Sequence, residues 1–249
     1  MKRHGEVMKN FWDKKARENA TYYVSSYQEY DDQDLEEFWK WGDKLAERFL
    51  GESGIAFTGS EKMLEIGCGV GRMTRYFARG FKEVHGIDVS EEMIKRAREN
   101  LVDSENVQLH VGNGCDLGLF EDGAFDFVFS YITFQHIPDV SVTLNYIREA
   151  GRVLRNGGHF YFQVNNVHPG IRSRLRLRSR IGSLVTRYKS KGQPTVPATE
   201  GPKDLDHPAW CGSAVSAKQL RRACASASLE IVDLNGEGTQ YLWVKAVKR

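Results

Sequence analysis

The stretch Leu64–Thr74, "LEIGCGVGRMT", decides the fold of this chain. An apolar run ends there in three glycines spaced two apart, Gly67, Gly69 and Gly71, and a helix-like segment follows. Because glycine has no side chain and adopts backbone conformations closed to other residues, such a turn lets the backbone lie flat against a ligand. The stretch therefore predicts a strand, a glycine turn and a helix, with a ligand bound at the turn.

Segments of strand and helix character alternate from Lys62 to the end of the chain. The expected strands are "KMLEIG", "EVHGIDVS", "VQLHVG", "FDFVFSYITF", "HFYFQVN", "EIVDLN" and "TQYLWVKAV". Alternation of this kind gives right-handed crossovers and a parallel sheet with helices on both faces. The short "GEG" before the last strand suits a hairpin, so that strand should run antiparallel. The fold predicted is a Rossmann-like α/β fold with a seven-stranded, mostly parallel sheet.

Residues 1–59 are expected to form an N-terminal helical cap. Apolar residues in "DQDLEEFWKWGDKLAERFLG" follow a three-to-four spacing, which is typical of an amphipathic helix. Asp31, Asp32 or Asp34 can cap its start, and Gly51 can end it. The preceding "NATYYVSSYQEY" is rich in tyrosine, serine and other polar residues and is interpreted as a loop.

Residues 168–213 interrupt the alternation after the fifth strand, between the two parts of the Rossmann-like domain, 60–167 and 214–249. The first half, "HPGIRSRLRLRSRIGSLVTRYKSKG", is basic without compensating acids, and the second half is rich in proline. Apolar spacing favours a helix in the first half, although its alternate arginines would also fit a strand. Because ligands of open α/β sheets bind at the carboxyl edge, we expect a substrate lid. A solvated helix face is the alternative.

Composition and charge narrow the class of protein. The 249 residues are 41% hydrophobic and 27% charged, as in ordinary globular proteins, and the net charge of +2 favours no polyanionic partner. No apolar run is long enough for a membrane span, and the N-terminus has no secretory signal. The four cysteines lack zinc-site spacing. These features predict reduced thiols in a cytoplasmic protein without a metal site.

Two acids beside the glycine turn indicate the ligand. Glu65 precedes the turn by two residues, and Asp88 closes the next strand about twenty residues on. A carboxylate at Glu65 suits an amine better than a phosphate, and Asp88 can accept hydrogen bonds from ribose hydroxyls. Asp88 could instead cap a helix, but Ser90 is the better cap candidate. An amino-acid end joined to a nucleoside without phosphates describes S-adenosyl-L-methionine.

With these features in place, the chain resembles the class I S-adenosylmethionine-dependent methyltransferases. "LEIGCGVGRMT" and "GIDVS" resemble the first two motifs of that family, and "VGNGCDL" (Val111–Leu117) resembles the third, which borders the adenine. "FDFVFSYITFQHI" resembles the fourth, whose end lies beside the methyl group. "REAGRVLRNGGHFYF" is similar to the segment after it, with Asn156 where proline is common. The resemblance covers about residues 60–166 and 215–247.

The resemblance implies a cofactor pocket built from the motif residues. They are Glu65, Gly67, Cys68, Gly69, Gly71, Arg72, Asp88, Val89, Met93, Asn113, Gly114, Cys115, Ser130, Tyr131 and Gln135. Some have simpler alternatives. Asn113 also suits a turn, and Arg72 could merely open its helix.

Methyl transfer is an in-line displacement with a neutral leaving group, so positioning supplies much of the rate, up to ~7–11 kcal/mol. A hydroxyl acceptor would also need a base. His136, in "FQHIPD" after the fourth strand, is the best candidate, and the alternative is that it only packs. Weaker candidates are His168, His207, Tyr22 and Tyr23.

The absence of one motif limits the class of molecule that can accept the methyl group. The fourth motif reads "FSYITF" and not the Asn/Asp-Pro-Pro-aromatic tetrad that holds planar amino groups. A small molecule is therefore expected, methylated on oxygen or nitrogen: a sugar or natural product, and an anionic one if the lid arginines bind it. The alternatives are an RNA methyltransferase that uses the basic segment 172–191, and a non-catalytic cofactor-binding module. The intact motifs argue against the module.

Overall fold

The computed structural model of the chain describes residues 2–25, 29–167 and 202–249. The predicted lid helix, its arginines and His168 lie outside the described residues.

Two helices precede the sheet. Helix α1 (Lys2–Ser25) is kinked at Asn19, whose side chain accepts a hydrogen bond from the N–H of Tyr22 and so restarts the helix. The predicted loop is therefore wrong for residues 20–25. Helix α2 (Leu35–Ser53) begins at Asp34, whose carboxylate accepts from the N–H of Glu37. It ends at Gly54 rather than Gly51, because Gly54 takes the left-handed conformation that terminates helices.

Seven strands form one sheet. They are β1 (Lys62–Ile66), β2 (Glu83–Asp88), β3 (Val107–Val111), β4 (Phe125–Ser130), β5 (Leu154–Val164), β6 (Leu229–Asn235) and β7 (Leu242–Lys248). Their order is β3-β2-β1-β4-β5-β7-β6. Strands β1 to β5 pair in parallel, and β7 pairs antiparallel with both β5 and β6. The predicted Rossmann-like sheet with an antiparallel last strand is confirmed.

Helices connect and cover the strands. They are α3 (Thr74–Phe77), α4 (Glu91–Asn100), α5 (Val140–Val153), α6 (Pro208–Cys211) and α7 (Ala217–Ser226), with a 3-10 turn at Thr133–His136. Helix α3 is shorter than predicted, because the chain stays in turns from Gly67 until Thr74.

The sheet is buried on both faces, which explains why its central strands are almost entirely apolar. One apolar cluster joins Val128 and Phe160 of the sheet to helices α1, α5 and α7. A second joins Phe127 and Phe129 to helices α2 and α3. All four cysteines are free thiols. No helix within the described ranges is long and apolar enough to cross a membrane.

The strand order places a ligand crevice at the carboxyl end of β1. Its neighbours β2 and β4 are reached by connections that leave in opposite directions, which opens a crevice between them. Helix α1 contacts α2, α4 and α6 and covers this edge of the sheet.

Candidate active site

A cavity of about 1000 Å³ of empty space, its opening included, lies at the carboxyl ends of β1, β2 and β4. Ten of the fifteen predicted cofactor residues line it, together with His136 and Tyr23: Glu65, Gly67, Cys68, Gly69, Arg72, Asp88, Val89, Met93, Gly114 and Tyr131. Five predicted cofactor residues lie outside that lining: Gly71, Asn113, Cys115, Ser130 and Gln135. The structure thus brings the glycine turn, both acids and His136 to one cavity.

Three of the predicted residues outside the lining make contacts within the protein. Asn113 closes a turn, its side-chain oxygen accepting from the N–H of Asp116 at 3.0 Å, which is the simpler alternative from the sequence. Gln135 donates to the side chain of Gln163 at 2.7 Å. Gly71 has a positive φ of +83° and packs against Leu101.

The glycine turn is held by the end of β2. The N–H groups of Gly67 and Cys68 donate to the carbonyl of Ile87, and the N–H of Gly69 donates to the Asp88 carboxylate at 3.0 Å. Gly67 has φ +78°, and a Cβ there would lie 2.0 Å from Oγ1 of Thr133. Glycine is therefore required at this position by the close approach of the loop after β4.

Glu65 is almost fully buried, with 2% of its surface exposed. Oγ1 of Thr74 donates to its Oε2 at 2.6 Å. Burial raises the pKa of Glu65 to about 8, although the Thr74 hydrogen bond and the charge of Arg72 work in the opposite direction. A carboxyl group in this state gains most from a cationic partner, because the partner restores its charge.

Asp88 links the glycine turn to helix α4. Its two oxygens accept from the N–H groups of Gly69 at 3.0 Å and Ser90 at 2.9 Å. Burial nevertheless raises its pKa to about 6. The side chain of Ser90 accepts from the N–H of Met93 and caps α4, so Asp88 is not the side-chain cap of that helix.

Helix α1 is fastened over the site by a buried carboxylate. Asp13 accepts from Oγ of Ser90 at 2.7 Å, from the N–H of Glu92 at 3.1 Å and from Nζ of Lys9 at 2.7 Å. Sequence reasoning missed this contact, because Asp13 and Ser90 are 77 residues apart. It also gave no cavity role to Met8, Trp12 or Val24 of the same helix.

His136 lies in the 3-10 turn after β4. Its Nδ1 lies 2.7 Å from the carbonyl oxygen of Trp210, which can only accept, so Nδ1 carries the proton and Nε2 is the acceptor nitrogen. Burial lowers the pKa of His136 to about 4, against the opposing hydrogen bond to Trp210. The ring is therefore neutral at physiological pH. His207, a weaker candidate, stacks on Phe11 at 4.4 Å between ring centroids.

The donor set fits the predicted cofactor. A buried acid suits a primary ammonium group, and a second acid at the end of β2 suits vicinal hydroxyls, because charged hydrogen bonds are the stronger kind. Across residues 2–25, 29–167 and 202–249, no group of three or more His, Cys, Asp or Glu side chains could hold a metal ion.

Comparison with known proteins agrees with this geometry. Residues 64–162 match the family model described as a methyltransferase domain. Demethylmenaquinone methyltransferase of Staphylococcus aureus is 37% identical over 100 residues, which are 39% of this chain and 40% of that relative. The chain therefore matches less than half the length of that relative.

Solved structures share the fold. Geranyl diphosphate C-methyltransferase from Streptomyces coelicolor has a TM-score of 0.64 at 17% identity, covering 99% of this chain and 98% of that one. An S-adenosylmethionine-dependent methyltransferase from Methanosarcina mazei has a TM-score of 0.55 at 22% identity, covering 77% and 94%. The fold is that of the class I S-adenosylmethionine-dependent methyltransferases. Residues 64–162 of this chain match a methyltransferase domain, in agreement with the family resemblance.

Proposed function

We propose that this protein is an enzyme that transfers a methyl group from S-adenosyl-L-methionine to an oxygen or nitrogen of a small-molecule acceptor. The observation that carries the proposal is the convergence of Glu65, the glycine turn and Asp88 on one cavity at the carboxyl edge of the sheet. A dinucleotide would place phosphates at this turn, where the buried Glu65 carboxyl would disfavour them.

Each residue has a distinct task in this proposal. Glu65 holds the ammonium group of the cofactor, Asp88 accepts from its ribose hydroxyls, and the backbone of Gly67 and Gly69 lies along it. The bound cofactor supplies an electrophilic methyl group on a sulfonium. His136 contributes Nε2, which can take a proton from an acceptor hydroxyl.

The small-molecule class is supported by the names of two similar proteins, a methyltransferase of demethylmenaquinone and one of geranyl diphosphate. The alternative of RNA methylation relies on residues 172–191, which lie outside the described residues. A non-catalytic module is disfavoured, because His136, the candidate base, lines the same cavity as Glu65, Asp88 and the glycine turn.

Calorimetry with S-adenosylmethionine and S-adenosylhomocysteine tests the proposal. We expect both to bind at micromolar concentrations, and mass spectrometry of acceptor pools to show a mass gain of one methyl group. Folded protein that gives no heat with either ligand would refute the proposal. Binding without any turnover would favour the cofactor-binding module.

A further inference from the structure

Aromatic rings dominate one part of the cavity lining. Trp12, Tyr23 and His136 all line it. The ring of His136 lies 5.3 Å from that of Trp12 and 5.0 Å from that of Trp210, which backs the wall and lies 5.7 Å from Tyr23. Ring surfaces of this kind gain energy from a flat apolar ligand, by area and by stacking.

Three polar groups of the cavity lining are already engaged within the protein. The hydroxyl of Thr133 donates to the carbonyl of Ile66 at 3.2 Å. The hydroxyl of Tyr23 accepts from the N–H of Lys203 at 3.3 Å, and Nδ1 of His136 donates to Trp210. A sugar would bring several hydroxyls to this wall, and each hydroxyl left unpaired would weaken binding. The wall therefore disfavours a polyol.

The acceptor nitrogen of His136 selects among hydroxyls by acidity. Burial lowers its pKa to about 4, which makes it a weak base. A phenolic hydroxyl has a pKa near ~10. An aliphatic hydroxyl resembles water, whose pKa is ~15.7. The proton transfer is therefore far less unfavourable for a phenol than for a sugar alcohol.

We infer that the acceptor is a flat, apolar hydroxyarene that lies against Trp12 and Tyr23 and presents its hydroxyl to Nε2 of His136. This inference rests on the proposed methyl transfer. The phenolic oxygen forms a bond to the methyl carbon as the carbon–sulfur bond breaks, and that electron pair stays on sulfur. The hydroxyl proton moves to Nε2 of His136. The products are an aryl methyl ether, S-adenosylhomocysteine and a protonated histidine, which returns its proton to water.

Titration of protein saturated with S-adenosylhomocysteine tests the acceptor class. Three probes are compared by calorimetry: 2-naphthol, its saturated analogue 2-decalol, and methyl β-D-glucopyranoside. We expect 2-naphthol to bind at least tenfold more tightly than the other two. With S-adenosylmethionine in place of the product, mass spectrometry should detect methyl naphthyl ether.

Substitutions of Trp12 show whether the aromatic wall is responsible for the preference for 2-naphthol. Trp12→Leu should weaken 2-naphthol binding about two- to tenfold, which corresponds to ~0.5–1.5 kcal/mol of ring–ring interaction, and Trp12→Phe should restore most of it. Trp41→Leu, at a ring that is 42% exposed on α2, is the matched control. Thermal melts establish that each variant is folded, and Tyr23→Leu replaces any Trp12 variant that is not.

The outcomes separate this inference from the proposed function. If S-adenosylhomocysteine does not bind, the proposed function fails. If it binds and the glucoside then binds as tightly as 2-naphthol, the hydroxyarene inference is wrong. It is equally wrong if the cofactor product binds and phenol, 2-naphthol and 2-anthrol all fail to bind.

Discussion

At the scale of single residues, Asp88 binds the glycine turn and is proposed to bind the cofactor ribose, and one substitution tests the second role. Its carboxylate holds the N–H of Gly69 and would accept from the cofactor ribose. Asp88→Ala should weaken S-adenosylhomocysteine binding by one to two powers of ten, from ~1.5–3 kcal/mol per charged hydrogen bond. Calorimetry measures this, with Asp103→Ala at an exposed turn as the control. Unchanged affinity in Asp88→Ala would contradict the ribose assignment.

His136 tests base catalysis with little disturbance of its packing. In His136→Asn the side-chain amide can still donate to the carbonyl of Trp210, as Nδ1 does now, but nothing replaces Nε2. If Nε2 takes the acceptor proton, turnover should fall ~10²–10⁴-fold with cofactor affinity nearly unchanged. Steady-state kinetics and calorimetry on the same preparation give both quantities. A loss below tenfold would mean that His136 only packs and that positioning suffices.

At the scale of elements, the loop after β4 is held in a strained conformation. Ile132 has φ +63°, which is rare for a β-branched residue and costs about 1–3 kcal/mol. The fully buried side chain of Gln163 accepts from the N–H of Ile132 at 3.1 Å and from Gln135 at 2.7 Å. It also donates to the carbonyl of Gln240, in the turn between β6 and β7. Gln163 is thus a positioning residue for the loop that carries His136.

Gln163→Leu should release this loop. The N–H of Ile132 would lose its acceptor inside the protein, at a cost of about 1–3 kcal/mol in the free energy of unfolding. We expect a lower melting temperature and a raised acceptor KM. Gln108→Leu on the exposed part of β3 serves as the control, and Gln163→Glu, which keeps an acceptor for Ile132, should recover part of both losses. If Gln163→Leu and Gln108→Leu have the same melting temperature and acceptor KM, the loop after β4 keeps its conformation without Gln163.

The elements also show what the sequence can predict. The sequence correctly predicts Glu65 and Asp88 at the ends of neighbouring strands, because a strand–turn–helix pattern fixes where each strand ends. The bond from His136 to Trp210 joins residues 74 apart, and the one from Ser90 to Asp13 joins residues 77 apart. Such contacts depend on how helices pack across the sheet, and local patterns do not encode that packing.

At the scale of the whole molecule, the parts outside the sheet are tied to one another. Lys15 is fully buried and pairs with Asp204 at 3.1 Å, and Phe11 stacks on His207. Helix α1 is therefore joined both to the start of α4, through Asp13, and to the segment that leads into α6. The sheet supplies the acids, and α1, α6 and the 3-10 turn after β4 supply the aromatic wall. The proposed cofactor and acceptor sites thus share one cavity but come from different parts of the chain.

The buried Glu65 should give the stability of the whole protein a distinctive dependence on pH. Its pKa is about 8 in the folded chain, raised from 4.5, so the folded state binds a proton that the unfolded state has lost. The stabilisation that this proton gives to the folded state is complete at pH values below the pKa of Glu65 in the unfolded chain. It is lost as the pH rises through the pKa of Glu65 in the folded chain. Asp88 shifts in the same direction, with a pKa of about 6, and contributes mainly below pH 6. The pKa of His136 is lowered from 6.5 to about 4, so its contribution is lost as pH falls from 6.5 towards 4, and just above pH 6 it offsets part of the decline from Glu65.

Between pH 6 and pH 8, the protein without ligand should lose about 2 kcal/mol of stability from Glu65, or about 4–8 °C in melting temperature. Glu65→Gln should flatten this decline, because an amide does not titrate, whereas Glu105→Gln at an exposed turn should leave it unchanged. S-adenosylhomocysteine should stabilise the protein more at pH 8 than at pH 6, because its ammonium group binds the ionised carboxylate. Thermal melts across this range, with and without ligand, measure all three effects. If the melting temperature of Glu65→Gln falls as steeply between pH 6 and pH 8, another group titrates in this range. Glu65 would then not be the partner of the cofactor's ammonium group.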